Sequence, residues 1–381
     1  MKKSILILGA SELQVPAIKC AKSLKLRTIV VDYDDKAPGK KEADIFYNVS
    51  TLDAKAVLQI ALKEKIDGIV TICSDKPMTV VAEIGEKLGL NTISTDTALS
   101  ATNKAYMRNT LQRNGVPIPK FFICNNKDDY FDAISSIEMP FIVKPSDNSG
   151  SRGVFMVNDI KDIDIAYKHA VTNTECGTVL VEEYIEGVEV SVEVFVTSGS
   201  ASVIQITDKM TSGAPYFVEI GHNQPSNLPP NTCDKISNVA IRATEALGID
   251  KGPAHVEIKV NGEDIKVIEL GARLGGDYIA TDLVPLSTGF NLVEATLLCA
   301  LNEECPHYDK IEQCAAIRYF EYNDYINLSP DVITSINRIY VSKRKNKLVK
   351  SSRDREGFYI VTGKNRGEID MKISKINDMI L

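Results

Sequence analysis

Residues 254–276 read AHVEIKVNGEDIKVIELGARLGG, and the fold around them turns on how these residues pair. Two runs alternate apolar and polar residues with NGED between them, the pattern of a β-hairpin. Val256, Ile258 and Val260 share one face of the first strand, and His255, Glu257 and Lys259 the other. On the return strand Ile268 and Leu270 are expected on the apolar face and Glu269 on the opposite one. With the apolar faces together, Glu257 and Glu269 fall on the same side. Cross-strand neighbours lie about 5 Å apart, where like charges repel. Either both glutamates face water, or the pair holds a cation. Oxygen-only ligands favour Mg2+ (or Mn2+) over zinc. A two-residue Asn261–Gly262 loop would put the glutamates on opposite faces, so a loop of three or five residues is expected. Arg273 follows directly, with a guanidinium able to grip a phosphate or carboxylate through two bonds. Gly271, Gly275 and Gly276 around it let the backbone bend close to a bound group.

Upstream, FIVKP reads as a strand with Lys144 at its apolar tip, a place that suits a waiting anion. The following loop, SDNSGSRGV, can turn backbone N–H groups toward phosphate oxygens, although a mobile surface loop would look the same. VLVEEYIEG is a strand that breaks at Tyr184–Ile185. An adenine ring could meet backbone groups there, with Glu182 accepting from its amine and Glu189 one strand-step on beside a ribose. Glu183 and Glu186 read as solvated. TALSATNKAYMRNTLQRNGVPIPKFF reads as one helix ended by Gly115 and Pro117.

The first ninety residues alternate apolar strands with amphipathic helices, which implies a parallel sheet of βαβ units. Asp32 ends the second strand where a ribose-binding acid would stand in a dinucleotide fold. The first loop, GASELQVP, lacks the further glycines such a site needs. The tail from about 311 alternates short strands. Its basic segment 342–355, SKRKNKLVKSSRDR, reads as a solvated hairpin.

Over 381 residues, 44% hydrophobic and 25% charged, more than one domain is expected. A net charge of −7 argues against a general nucleic-acid binder, and no run of 18 apolar residues is present to span a membrane. The apolar start is short and reads as a buried first strand. Eight scattered cysteines without a CxxC pair fit reduced thiols in a cytoplasmic protein, with neither a zinc site nor a disulfide framework.

NKAYMR before GVPIPKF, FIVKPSDNSGSRGV, VEEYIEGVEVSVE and HVEIKV…VIELGARLGG, with glutamates twelve apart, together resemble the ATP-grasp superfamily over roughly residues 1–300. The resemblance implies an α/β and α+β chain. Residues 1–95 would form a Rossmann-like pre-ATP-grasp domain with a parallel sheet. Residues 96–310 would form the ATP-grasp fold of two α+β subdomains, with a mobile lid subdomain at about 115–185. Residues 311–381 would form a small β-rich C-terminal lobe.

The resemblance also implies residue roles. Lys104 and Lys144 would contact ATP phosphates under a mobile loop at 148–153 that includes Ser149, Gly150, Ser151 and Gly153. Glu182, Tyr184 and Ile185 would line the adenine pocket and Glu189 would hold ribose. Glu257 and Glu269 would bind one or two Mg2+, and Arg273 would stabilise the transferred phosphate. Many members write E-x-N-x-R at the end of the metal strand. Here Gly271 stands in the asparagine position, so one ligand is missing. GAR followed by GGD is the variant associated with L-amino-acid ligases, dipeptide synthetases and related enzymes.

The reaction so implied is ATP- and Mg-dependent joining of a carboxylate and an amine into an amide, a dipeptide or amino-acid conjugate, through an acylphosphate. The alternative is carbamoyl-phosphate-synthetase-like or carboxylase-type chemistry on bicarbonate or a carbamate. A third is nucleotide binding without catalysis. Asp75 at a strand end, Glu219 and His222 on a loop, and Gly276–Asp277 are candidate substrate contacts, with surface loops as the plain alternative. His255 is expected to support the site rather than act as a base. The partners are ATP and small carboxylates and amines, with no nucleic acid and no membrane, and a homodimer is compatible with all of this.

Overall fold

A computed structural model describes residues 2–150, 152–214, 217–320, 330–341, 349 and 351–379. Strands β1 (Ser4–Leu8), β2 (Arg27–Asp32), β3 (Ile45–Asn48) and β4 (Gly68–Val70) form a wholly parallel sheet in the order β3-β2-β1-β4. Their residues are apolar on both faces because both faces are covered. Leu6, Leu8, Ile29 and Val31 enter one core, while Ile5, Ile7 and Val30 enter another with Ile18 of helix Val15–Ser23. Asp32 accepts from the backbone N–H of Ala10 at 2.6 Å and of Asp34 at 2.9 Å, so its carboxylate pins the first loop. The loop after β4 opens at the carboxyl edge of this sheet, where α/β folds place their ligands, and it carries Cys73 and Asp75.

The single helix expected between residues 97 and 115 is two, Thr95–Thr102 and Lys104–Arg113. Asn103 breaks it. Its backbone is extended (φ −116°, ψ 116°), and its side chain caps the second helix by accepting from Ala105 and Tyr106. Asparagine competes with helical backbone in this way. The break puts Lys104 at a helix N-terminus.

Strands β5 (Phe121–Cys124), β6 (Phe141–Pro145), β7 (Phe155–Val157) and β8 (Val179–Glu183) form a small antiparallel sheet, β5-β8-β6-β7. It has a core of its own, built on Tyr130, Phe141, Val143 and Val181. The largest sheet takes the remaining strands: β9 (Val188–Thr197), β10 (Ser200–Thr211), β11 (Glu219–Gln224), β12 (Gly252–Asn261), β13 (Asp264–Gly271), β14 (Cys314–Phe320), β15 (Arg338–Val341) and β16 (Gly357–Gly363). Their order is β13-β12-β9-β10-β11-β14-β16-β15. The tail strands therefore extend the same sheet that carries the β12–β13 hairpin. Among the described residues no single helix is long and apolar enough to cross a membrane.

The hairpin solves its register differently from expectation. Asn261 pairs with Asp264, so the turn is the two-residue Gly262–Glu263, with Gly262 at φ 59°. Glu257 nevertheless faces Glu269 directly, because a β-bulge falls between Glu257 and Ile258: Ile258 pairs with Val267, leaving Ile268 as the extra residue. A bulge adds one residue to one strand and so flips the parity that an even turn imposes. Val267 and Leu270 are buried in the core, whereas Ile268, expected on the apolar face, lines the cavity described below.

Candidate active site

A cavity of about 360 Å3 opens between the hairpin, the small sheet and the loop after β4. The residues expected to contact nucleotide, metal or substrate all line it save two. Gly153 (φ 81°) packs against Pro145 and Asn173, and Ser151 lies outside the described residues. Tyr184 and Ile185 stand at the break between β8 and β9, and Ser149 and Gly150 on the loop after β6.

At one end the charges form two groups, Lys104 with Glu269 and Lys144 and Arg108 with Glu182. Lys104 Nζ donates to Glu269 at 2.8 Å and to the carbonyl of Asn148 at 2.6 Å. Lys144 Nζ lies 2.6 Å from Glu182. Arg108, fully buried, grips both oxygens of Glu182 at 2.7 and 3.0 Å. It also donates to the carbonyls of Ile268 at 2.7 Å and Val267 at 3.4 Å, the two residues of the bulge. Glu182, expected in the adenine pocket, does line the cavity, with Arg108 and Lys144 on its oxygens. A carboxylate this deep needs cations, and Arg108 and Lys144 supply them. Burial alone would raise its pKa, but these two cations outweigh that and hold it down at about 2. For Lys144 burial dominates, and with Arg108 and Lys104 nearby it depresses the ammonium below the usual lysine range.

On the hairpin face Glu257 accepts from Lys209 at 3.2 Å, with His255 Nε2 at 3.6 Å. Lys209, on β10, also lies 2.6 Å from Glu189 and 3.6 Å from Glu219. Burial opposes its charge, yet three carboxylates raise its pKa well above the ordinary value. The same balance, with Lys209 and His255 as the cations, holds Glu257 well below the carboxylate range. His255 pairs through Nδ1 with buried Glu193, whose other oxygen takes the N–H of Gly275 at 3.1 Å. Against burial, Glu193 lifts its pKa to about 9.

The two hairpin carboxylates fit a hard divalent cation, but only with help. Among the described residues no three His, Cys, Asp or Glu side chains converge on one point. Mg2+ is commonly bound by one or two carboxylates together with phosphate oxygens, and Glu257 and Glu269 would supply the carboxylates. Arg273 donates from Nε to Asp75 Oδ1 at 2.8 Å and from Nη2 to Oδ2 at 3.3 Å. A Cβ built on Gly271 would stand 2.8 Å from that same Asp75 Oδ1.

The other end is differently made. Glu219 and His222 lie on strand β11, not on a loop. His222 is buried, and neither ring nitrogen has a hydrogen-bond partner; Asp277 Oδ2 is 3.6 Å from Nε2. Asp277 (φ 53°) is held by Arg355 at 2.9 and 2.6 Å, and Arg355 in turn sits 3.7 Å over the Tyr319 ring. Burial works against the Asp277 charge, but Arg355 and His222 keep its pKa far below normal. Four site residues were not picked out from sequence. Arg108, Glu193 and Lys209 sit in ordinary helix and strand patterns. Arg355 ends the basic segment 342–355, whose residues 342–348 and 350 lie outside the described residues.

Residues 137–282 match the ATP-grasp domain family. The chain is 26% identical over 283 residues to the formate-dependent phosphoribosylglycinamide formyltransferase of Hydrogenovibrio crunogenus, covering 71% of this chain and 68% of that one. Its fold superposes on the L-amino acid ligase of Bacillus licheniformis with a TM-score of 0.81 at 22% identity, covering 100% and 98% of the two chains. It also superposes on N5-carboxyaminoimidazole synthase from Aspergillus clavatus in complex with ADP and 5-aminoimidazole ribonucleotide, with a TM-score of 0.79 at 19% identity and coverage of 99% and 98%. Residues 137–282 are thus an ATP-grasp domain, and the paired hairpin glutamates within it face the cavity.

Proposed function

We propose that this ATP-dependent ligase joins a small carboxylate, an amino acid or a compound like one, to an amine through an acylphosphate. One observation carries the reading: two buried lysines, Lys104 and Lys144, and the largely buried Arg273 face the same cavity as two adjacent carboxylates, Glu257 and Glu269. That combination suits a polyphosphate bound with a divalent cation better than any uncharged ligand.

The chain's side chains would position and neutralise rather than react covalently. Lys104 and Lys144 would hold phosphate oxygens. Tyr184 and Ile185 would border the nucleotide base, and Glu189 the ribose. Glu257 and Glu269 would hold Mg2+, which supplies charge neutralisation on the phosphates when bound. Arg273 would grip the phosphoryl group as the substrate carboxylate oxygen attacks it and ADP leaves. The amine then attacks the acyl carbon, phosphate leaves, and the nitrogen gives up a proton. His222, buried, unpartnered and 3.6 Å from Asp277, stands ready to take it. Glu219 and Asp277 would steady the ammonium group beforehand, with the Gly276–Asp277 turn beside it. Burial of the cavity would keep water from the acylphosphate. A cytoplasmic setting belongs to the same reading, supported by eight free cysteines.

The test is ADP and phosphate release from MgATP with pools of amino acids, followed by the mass of the product. Release that requires both a carboxylate and an amine supports the ligase. Release driven by bicarbonate alone would overturn it in favour of a carboxylase-type enzyme.

A further inference from the structure

We propose that Asp75 is a positioning residue that aims Arg273, and that the pair depends on residue 271 having no side chain. The inference rests on the ATP reading above. Asp75 and Arg273 come from different sheets, 198 residues apart in sequence, and meet fork to fork at 2.8 and 3.3 Å. Both are largely buried, with side chains 14% and 13% exposed. Guanidinium carries five N–H hydrogens. Two go to Asp75, and Nη1 gives one to the carbonyl of Leu274 at 3.2 Å. One hydrogen on each Nη remains, a fork suited to a single oxyanion.

The loop that carries Asp75 is held from several sides. Ile72 exchanges bonds with the Gln14 side chain, Cys73 Sγ donates to the carbonyl of Gly275 at 3.2 Å, and Met78 N–H returns to the Asp75 carbonyl at 2.9 Å. The arginine is thus held by a carboxylate carried on a fixed loop, and a ligand need not order it.

Gly271 links this to the sequence. It ends β13 outside the left-handed region, so its backbone accepts any residue. A Cβ there would nonetheless meet Asp75 Oδ1 at 2.8 Å, Arg273 Nε at 3.1 Å and Arg273 Cζ at 3.3 Å. The space of the missing side chain is occupied by the pair. Gly271→Ala therefore attacks the same contact as Asp75→Asn, from the opposite side.

The experiment is calorimetric titration of the full chain with ATP and, separately, ADP, each with Mg2+. The readout is the ratio of their dissociation constants, because the aimed fork matters only where the terminal phosphate stands. The wild type is expected to prefer ATP. Asp75→Asn and Gly271→Ala should each cut that preference about tenfold, the usual worth of one charge-assisted contact. ADP affinity should change little. The double variant should lose no more than the deeper single one, since both break one contact. Arg273→Ala sets the maximum loss. Retention of the ATP preference in Asp75→Asn, with a raised KM for the amine instead, would overturn the proposal and make Asp75 a substrate contact. Losses that add in the double variant would overturn it too. A wild type that binds neither nucleotide would overturn the ATP reading itself.

Discussion

The two ends of the cavity treat buried polar groups in opposite ways. At the Lys144 end every charge already has its counter-charge: Arg108 with Glu182, Lys144 with Glu182, Lys104 with Glu269. At the β11 end Asp277 is likewise held by Arg355, but His222, as deep as Arg108, has no hydrogen bond on either ring nitrogen. A buried polar group without a partner costs about 1–3 kcal/mol. Folding has met that cost at one end and left it standing at the other. The first end is built by the fold, and the second is completed by what binds. Substitutions at the first should therefore disturb stability as well as chemistry, and substitution of His222 at the second chemistry alone.

The largest expected effect is on turnover. Glu269→Gln keeps the shape of the hairpin and removes a charge from the cation-binding pair. It should lower ADP release at least about a thousandfold, in line with losing a main electrostatic contact to transferring phosphate. Circular dichroism should be unchanged. A fully active variant would remove Glu269 from the metal assignment.

Next comes Arg108→Met. Removing one member of a buried charge network costs about 3–5 kcal/mol, here read by urea unfolding. Arg108 holds the bulge as well as Glu182, so the variant should also weaken MgATP binding. A cost under about 1 kcal/mol, the figure for an exposed ion pair, would break the contrast drawn above.

The same contrast has a pH signature. The Glu182 pKa is lowered on folding to about 2. Such a group stabilises the fold above its unfolded pKa of about 4.3 and loses that contribution as pH falls toward 2. At about 1.4 kcal/mol per unit, roughly 3 kcal/mol is at stake. Stability measured from pH 6 to pH 2 should fall more steeply in the wild type than in Glu182→Gln. Parallel curves would mean the network does not hold Glu182 ionised.

How much of this could be foreseen depends on the range of the signal. The βαβ alternation was legible because apolar runs between helical periods are local. The facing glutamates were legible because pairing has period two. The bulge was not, since Ile268 looks like any strand residue, and only Arg108, 160 positions away, makes its displaced carbonyl useful. Lys209 was hidden for the same reason: nothing in ITDKMTS announces three acids from other strands. Asn103 was different. It carried a local cap signal, and the apolar period running through it masked the break.

At the open end His222→Gln should lower kcat about a hundredfold, the usual worth of a general base, with the KM for ATP unchanged. Stability should move by less than about 1 kcal/mol, because no hydrogen bond is lost. A large loss of stability would mean that His222 is a packing residue.

The smallest effect tests where the built end stops. Lys76 follows Asp75 on the same loop, and its ammonium pairs with Glu175 at the edge of the small sheet. The geometry invites the idea of a latch between the two. Exposure argues otherwise: Lys76 is 36% and Glu175 77% exposed. Both side chains lose rotamer freedom to meet, and water and salt screen the attraction, so such pairs contribute about 0–1 kcal/mol. Lys76→Ala should therefore shift the thermal midpoint by a degree or two at most, and the shift should vanish in high salt. If MgATP affinity fell tenfold at low salt and recovered at high salt, the pair would belong to the site after all, and the boundary of the built end would move out to the surface.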